Sequence, residues 1–359
     1  MTAAPLSWAL CTATLNRIDV LEESVRLAIA QTRPPLEIVI CDTSETWEAH
    51  RDRIAALVPE GGPRLIYLSS EHPSSAVQRN VAIRAASADV LFVLDDDSLM
   101  YPDCADAIMA VYEDPAGADI VAVGAVGQQS LPEGAALATA RKEKGGATAP
   151  ARPGPAARLR SSGPARWIMR EVFLMSAARN LVAYDDRPIE SEPKGDIPAD
   201  TEPATLLSGY RLTVRRTTAL AEPYEEALLA YCPGEDLDAC YRYGRHGRIV
   251  TARRARLHHF EAAAGRIKRR KATALGLLNV AYVTRRHSTD PARHERAWYV
   301  FALRRLLADA LKDTASRRWD YPQLKGVVTA LRHGRRVFRE PEPTLRDWYV
   351  ELQRKILKA

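Results

Sequence analysis

The sequence predicts an α/β fold, a doubly wound and mostly parallel domain followed by an α-helical C-terminal extension. Three observations lead there. Val90–Leu94 is five apolar residues in succession, which suits a strand buried on both faces of a helix-covered parallel sheet. Strand-like and helix-like runs alternate ahead of it, the order that builds such a sheet. From Ala262 onward the apolar residues recur at helical spacing, with Val300, Leu303, Leu307 and Leu311 on one stripe.

Leu6–Thr14 is a short apolar run and reads as the first strand. Leu21, Val25 and Ala28 follow at i, i+4 and i+7, the spacing of one helix face, and Pro34–Pro35 ends that helix. Leu36–Cys41 is β-branched and apolar, Arg64–Leu68 is a weaker strand, and Val77, Val81 and Ala85 mark a second helix leading into Val90–Leu94. Between Gly127 and Gly163 the composition turns to Ala, Gly, Pro, Ser and Arg without a period, which reads as a flexible basic insertion. Helical character returns around Trp167–Ala178, loosens through the Pro-rich 187–203, and gives way to an apolar run at Leu206–Val214. A helix begins near Gly234, and Arg248–Phe260 is extended. The expected division is therefore residues 1–260 as the α/β domain and 261–359 as a basic helical extension.

Charge follows that division. Lys and Arg number 51 against 45 Asp and Glu, a net charge of +6. From Arg253 to the end there are 26 basic and 10 acidic residues, or +16, which leaves −10 on the preceding 252 residues. A basic tail suits an anionic lipid surface or an anionic acceptor, and equally a solvated helical face. The charge-free runs Ile120–Pro132 and Ala272–Thr284 have 13 residues each and Met1–Asn16 has 16, whereas a membrane-spanning helix needs about 20. The first apolar run has no basic segment before it and soon meets Asn16, Arg17 and Asp19, unlike a secretion signal. Five scattered cysteines without C-x-x-C spacing point to reduced thiols in a cytoplasm and to no structural zinc.

The chemistry concentrates at Asp95, Asp96 and Asp97, directly after the buried strand. Ligands of open α/β sheets bind beyond the carboxyl ends of the strands. Three adjacent carboxylates repel one another, and a divalent cation such as Mn²⁺ or Mg²⁺, which prefers oxygen ligands and substrate phosphates, would relieve this. An exposed loop capping the helix near Pro102 is the plain alternative.

Five segments together resemble the inverting family-two glycosyltransferases of the GT-A fold, over roughly Leu6–Phe260. They are C-T-A-T-L-N-R (Cys11–Arg17), E-I-V-I-C-D-T-S (Glu37–Ser44), Q-R-N-V-A-I-R-A-A-S-A-D-V-L-F-V-L-D-D-D-S (Gln78–Ser98), P-G-E-D-L-D-A-C-Y-R (Pro233–Arg242) and R-I-V-T-A-R-R-A-R-L-H-H-F (Arg248–Phe260). The chain departs from the family pattern at Ala13, Leu15, Ala82 and Arg253, where the family has Pro, Tyr, Gly and Pro. The resemblance implies a donor pocket of Thr14, Asn16, Arg17, Asp42 and Arg79, with Asp95 or Asp96 on the ribose. It implies metal ligation by Asp97 and His259, and Asp236 as the catalytic base, its ionised form favoured by a helix amino terminus. Neighbouring strand residues face opposite ways, so one of His258 and His259 serves as the ligand, and the register selects His259.

The implied activity is single-sugar transfer with inversion from a nucleotide-diphospho-sugar, UDP-sugar being the commonest donor in the group, to a glycan, lipid-linked or protein acceptor. No nucleic acid partner is expected. The processive Q-x-x-R-W segment of the family is absent. Two rivals start from other features: V-L-D-D-D-S-L resembles the opening motif of haloacid-dehalogenase-like phosphatases, and the tail with its Trp and Tyr residues could be a basic binding module. The phosphatase motif ordinarily opens its domain, whereas 94 residues precede it here. Arg266–Lys271 carries five basic residues in six and would hold the enzyme on the inner face of the plasma membrane. The Val300–Leu311 stripe fits either an interfacial helix or one packed on the rest of the chain, the latter being commoner.

Overall fold

The computed structural model describes residues 4–135, 163–185, 187–189, 196–261 and 267–358. Most of the 127–163 insertion, and Arg266 of the basic cluster, lie outside these residues. The chain forms two compact units. The first comprises residues 1–150, 192–224 and 239–265, and the second 151–191, 225–238 and 266–359.

Among its described residues the first unit holds a nine-stranded sheet. Its strands are β1 (Trp8–Thr14), β2 (Glu37–Asp42), β3 (Arg64–Leu68), β4 (Val90–Asp95), β5 (Ser98–Met100), β6 (Ile120–Gln128), β7 (Thr201–Ala204), β8 (Leu212–Arg215) and β9 (Arg248–His259). Their order is β3-β2-β1-β4-β8-β6-β9-β5, with β7 also paired to β9. The β3-β2-β1-β4 half is parallel throughout. Helices α1 (Ile18–Ile29), α2 (Trp47–Ala55) and α3 (Ser75–Ala85) make its crossovers, and α4 (Cys104–Glu113) follows β5. Beyond β4 the order is mixed: β8 lies antiparallel between β4 and β6, while β6 and β9 are parallel.

Burial explains the sequence pattern. Val90–Leu94 is buried at every position because both faces of β4 are covered, and Phe92 packs on Trp8 with ring centroids 4.3 Å apart. One continuous core runs from Leu10, Leu21 and Ile38 through Phe92 and Ile108 to Val250 and Leu257. Strand registers align the carboxyl ends: Thr14 pairs with Asp42, and Ala13 with Asp95. Three candidate residues thus share one edge of the sheet.

The second unit is helical. It contains α5 (Gly163–Glu171), α8 (Arg269–His287), α9 (Pro291–Ala315), α10 (Pro322–Arg339) and α11 (Glu342–Lys358). The short α6 (Arg216–Ala221) belongs to the first unit, and α7 (Glu235–Tyr243) starts in the second and ends in the first. Trp298 of α9 is fully buried and donates to the Leu277 carbonyl at 3.0 Å. Its partner surface is α10, where Gly334 lies so close that a Cβ would sit 2.2 Å from the indole. No helix among the described residues is long and apolar enough to cross a membrane. The stripe, which in sequence fitted either packing or an interface, lies outward: Val300 is 59% exposed, Leu303 54%, Leu307 69% and Leu311 47%. The inward face of α9 is formed by His294, Trp298, Ala302, Ala308, Asp309 and Asp313.

Candidate metal and donor site

The acidic triplet spans the end of β4 and the turn into β5. That short strand pairs antiparallel with β9 so that Ser98 faces His259, and the Phe260 amide donates to the Asp97 carbonyl at 3.0 Å. The pairing carries the last residues of a distant strand to the triplet. His259 Nε2 lies 3.2 Å from Asp97 Oδ1 and 3.9 Å from Asp95 Oδ2. Ligand atoms of Asp95, Asp97 and His259 fall within 4.8 Å of one another, close enough to share one cation. Pleating turns His258 the other way, where its Nδ1 meets the Gln128 carbonyl at 2.9 Å.

The electrostatics are those of crowded acids. Asp96 is almost fully buried, accepts from Thr14 Oγ1 at 2.7 Å and pairs with Arg17 Nη1 at 2.9 Å. Burial pushes its carboxyl up to about 6; Arg17 opposes the rise and Asp97 adds to it. Arg17 also lies 3.8 Å from Asp97. For His259, burial works against the imidazolium, but the hydrogen bond to Asp97 and the charges of Asp97 and Asp95 outweigh it and raise its proton affinity. A group drawn toward a positive charge by two carboxylates is one where a cation would be favoured in the proton's place. Arg79 forms an ion pair with Asp95 and lies over the Tyr224 ring at 5.4 Å.

Asn16 is exposed at the end of β1 with φ of 55°, a left-handed conformation that Asn tolerates better than most residues, and its amide donates to Ser44 Oγ at 2.7 Å. Asp42 is fully buried. One of its oxygens accepts from the Ser44 amide and hydroxyl, the other from Tyr67 Oη at 2.8 Å, and His50 Nδ1 lies 2.8 Å from that second oxygen. Its carboxylate is thus engaged by protein groups and fixes Tyr67, which stacks with Trp47 at 6.5 Å, and His50.

Asp236 stands in the first turn of α7, with Glu235 and Asp238. The approach to it is conformationally costly: Ala230, Cys232 and Gly234 all have positive φ, at 58°, 41° and 89°. Only the glycine adopts that region freely, and a non-glycine residue there costs roughly 1–2 kcal/mol. Asp236 lies in the second unit, and the acid–histidine cluster in the first.

Several site residues had no role in the sequence reading. Tyr210 stacks on His259 with centroids 4.6 Å apart and planes 2° from parallel. Its carbonyl accepts from Ser98 Oγ at 2.9 Å, which ties it to the turn after the triplet. Gln78 Nε2 donates to the carbonyls of Thr14 and Cys41 at 2.7 and 2.9 Å, locking the ends of β1 and β2 together. Gly209 fits because it lacks a side chain: a Cβ would meet Arg79 Nη2 at 2.7 Å and Asp95 Oδ1 at 3.1 Å. The Gln stood at the head of the Q-R-N segment, a visible signal; Tyr210 and Gly209 reach the site through the antiparallel β8, which no local pattern announces.

The sheet, parallel from β3 to β4 and mixed beyond it, is of the GT-A class. Residues 9–174 match the family described as glycosyl transferase family 2. A glucosyl-dolichyl phosphate glucuronosyltransferase from Haloferax volcanii is 28% identical over 119 residues, covering 33% of this chain and 37% of that protein. The fold is similar to that of the mannosyltransferase PcManGT from Pyrobaculum calidifontis in complex with GDP-Man and Mn²⁺, with a TM-score of 0.51 and 14% identity over 93% of this chain and 88% of the other. GalNAc-T7 with UDP, GalNAc and Mn²⁺ gives a TM-score of 0.50 and 14% identity over 77% of this chain and 47% of that one.

Proposed function

We propose that the protein is a metal-assisted glycosyltransferase that moves one hexosyl group, with inversion, from a nucleotide-diphospho-sugar to an acceptor hydroxyl. The observation that carries this reading is the meeting of Asp95, Asp97 and His259 at the carboxyl edge of a GT-A sheet. Two carboxylate oxygens and an imidazole nitrogen would suit Mn²⁺ or Mg²⁺, cations that also favour phosphate oxygens. Asp95, Asp97 and His259 would hold the cation, which would supply positive charge for the departing nucleotide diphosphate. Arg17 and Thr14 fix Asp96 and share in orienting the ribose. Asn16, Arg79 and the Trp47–Tyr67–His50 wall held by Asp42 form the nucleotide side. Asp236 accepts the proton of the acceptor hydroxyl, and a single displacement inverts the anomeric centre.

A UDP-sugar is the first-choice donor, and the name of the archaeal relative makes a lipid-linked acceptor at a membrane surface the leading candidate beside glycan and protein. The test is thermal denaturation of the full chain with UDP, GDP, dTDP and CMP, each with and without Mn²⁺. A rise in melting temperature that needs both Mn²⁺ and a nucleoside diphosphate is expected, and no nucleotide-dependent rise in any combination would refute the reading. Asp236→Asn keeps the shape of the side chain and cannot take a proton, so donor binding persists while transfer falls by about a hundredfold or more. Turnover near the native rate would put the base elsewhere.

A further inference from the structure

The helical unit carries an apolar surface that its own core does not use. On α9 the exposed residues Val300, Leu303, Leu307 and Leu311 follow one another at three- and four-residue steps along a single face. No residue of α5 is buried, and Trp167 (61% exposed) and Ile168 lie open beside Val172 and Met175 just past its end. The two patches adjoin: Arg304 of α9 lies 3.6 Å from the Glu171 carboxylate, and Glu171 is also held by Arg170 and Arg179 at 2.9 Å. A patch of this kind and extent on a protein marks an interaction site.

Charge decides what the partner is. The carboxylates of α9 are committed inward or to basic partners: Asp309 and Asp313 are fully buried, Asp309 with Arg305 and Lys312 and Asp313 beside Arg318, while Glu295 pairs with Arg339. The exposed ionic residues bordering the stripe are Arg293, Arg296 and Arg304, with Arg166 and Arg170 on α5. An apolar stripe bordered by arginines is the composition of a helix lying in a lipid interface, its leucines among the acyl chains and its guanidinium groups at the phosphates. A second copy docked by two-fold symmetry would set arginine against arginine, which disfavours self-association.

We infer that the outer stripe of α9 together with α5 and Val172–Met175 is an interfacial surface that seats on an anionic lipid bilayer. This surface is distinct from the Arg266–Lys271 cluster, in which Lys271 is already engaged, donating to the Leu357 carbonyl at 2.6 Å. It does not depend on the transfer reaction, and its test uses neither nucleotide nor metal. The full chain is sedimented with vesicles of phosphatidylcholine alone or with about 30% phosphatidylglycerol, at about 0.05 M and about 0.5 M NaCl. Binding to the anionic vesicles is expected, weakened but not abolished by salt, with a blue shift of tryptophan emission that Trp167→Phe diminishes. The double variant Leu303→Glu/Leu307→Glu, which places charge on an already exposed face, lowers vesicle affinity by at least about tenfold while far-UV circular dichroism and melting temperature stay native. Arg166→Gln/Arg296→Gln removes most of the preference for anionic over neutral vesicles. Unchanged binding by the leucine double variant overturns the inference, as does light scattering that finds a native dimer which the same variant converts to monomer.

Discussion

At the scale of single residues, the acidic triplet divides its labour by position. Asp96 turns inward to Thr14 and Arg17, whereas Asp97 and Asp95 turn to His259. Asp97→Ala is expected to weaken Mn²⁺-dependent nucleotide binding by about a hundredfold, since ligand loss costs at least as much as losing a supporting partner, and titration calorimetry with UDP in the presence and absence of Mn²⁺ measures it. Equal binding by variant and native protein would remove Asp97 from the site. A second residue of interest, Glu37, lies at the other end of β2 and is fully buried. Burial alone would raise its carboxyl, but donors from Arg64, Ser87 and Ala88 outweigh that and hold it below its ordinary 4.5. A depressed folded value means the contribution to stability is complete above the unfolded value and is lost as pH falls through the folded one. Glu37→Gln should therefore cost about 2–4 kcal/mol near neutrality, and denaturant curves of variant and native protein should converge as the pH drops below about 4.3. A pH-independent gap would contradict the ionised pairing. The placement of the triplet after β4 and of His259 at the end of β9 was legible in the sequence because strand patterns are local. The full commitment of Asp42 to Ser44, Tyr67 and His50 was not, because it depends on how α2 folds back over β2.

At the scale of elements, strongly periodic segments were readable and polar or composite ones were not. Helix α2 contains Trp47, Glu48, His50, Arg51, Asp52 and Arg53 and buries only Ile54, so it offers no apolar stripe to detect. Strand β5 has three residues and exists through its pairing with β9. β7 runs through Thr201–Ala204 with Pro203 inside it, in a stretch whose prolines suggest loop. The antiparallel insertion of β8 between β4 and β6 is a matter of topology, invisible to any period. The α9–α10 crossing shows the opposite situation, where a single small residue decides the geometry. Gly334→Ala would force its Cβ into the buried Trp298 ring, and an overpacked site of this kind costs about 1–3 kcal/mol. Denaturant titration followed by tryptophan emission should show the loss, and restoring space with Trp298→Phe in the same chain should recover part of it. A neutral Gly334→Ala would mean the two helices slide apart without penalty.

At the scale of the whole molecule, the chain passes between its two units after residues 150, 191, 224, 238 and 265, so neither unit is one contiguous stretch. A division at residue 260, natural from the change in charge and periodicity, would separate α8–α11 from residues 225–238, which form one unit with them. That short segment brings Asp236, and it is fastened from the extension: Gln353 accepts from the Leu229 amide at 2.9 Å and donates to the Ala227 carbonyl at 2.7 Å, while Asn279 donates to the Pro233 carbonyl at 3.1 Å. Asn279 is in turn fixed by Tyr349, whose hydroxyl donates to it at 2.6 Å. These bonds offset the cost of the left-handed residues Ala230 and Cys232, which would otherwise relax. The basic extension therefore has a role in shaping the segment that carries the proposed base. Gln353→Ala leaves two backbone groups without those partners, a cost of about 2 kcal/mol. Amide exchange at Leu229 should accelerate by roughly tenfold or more as the segment opens locally, with Mn²⁺-dependent nucleotide binding unchanged and transfer reduced several-fold. Native exchange at Leu229 would show that the segment holds its conformation without Gln353, and fastening would then have to be sought in Asn279 and Tyr349.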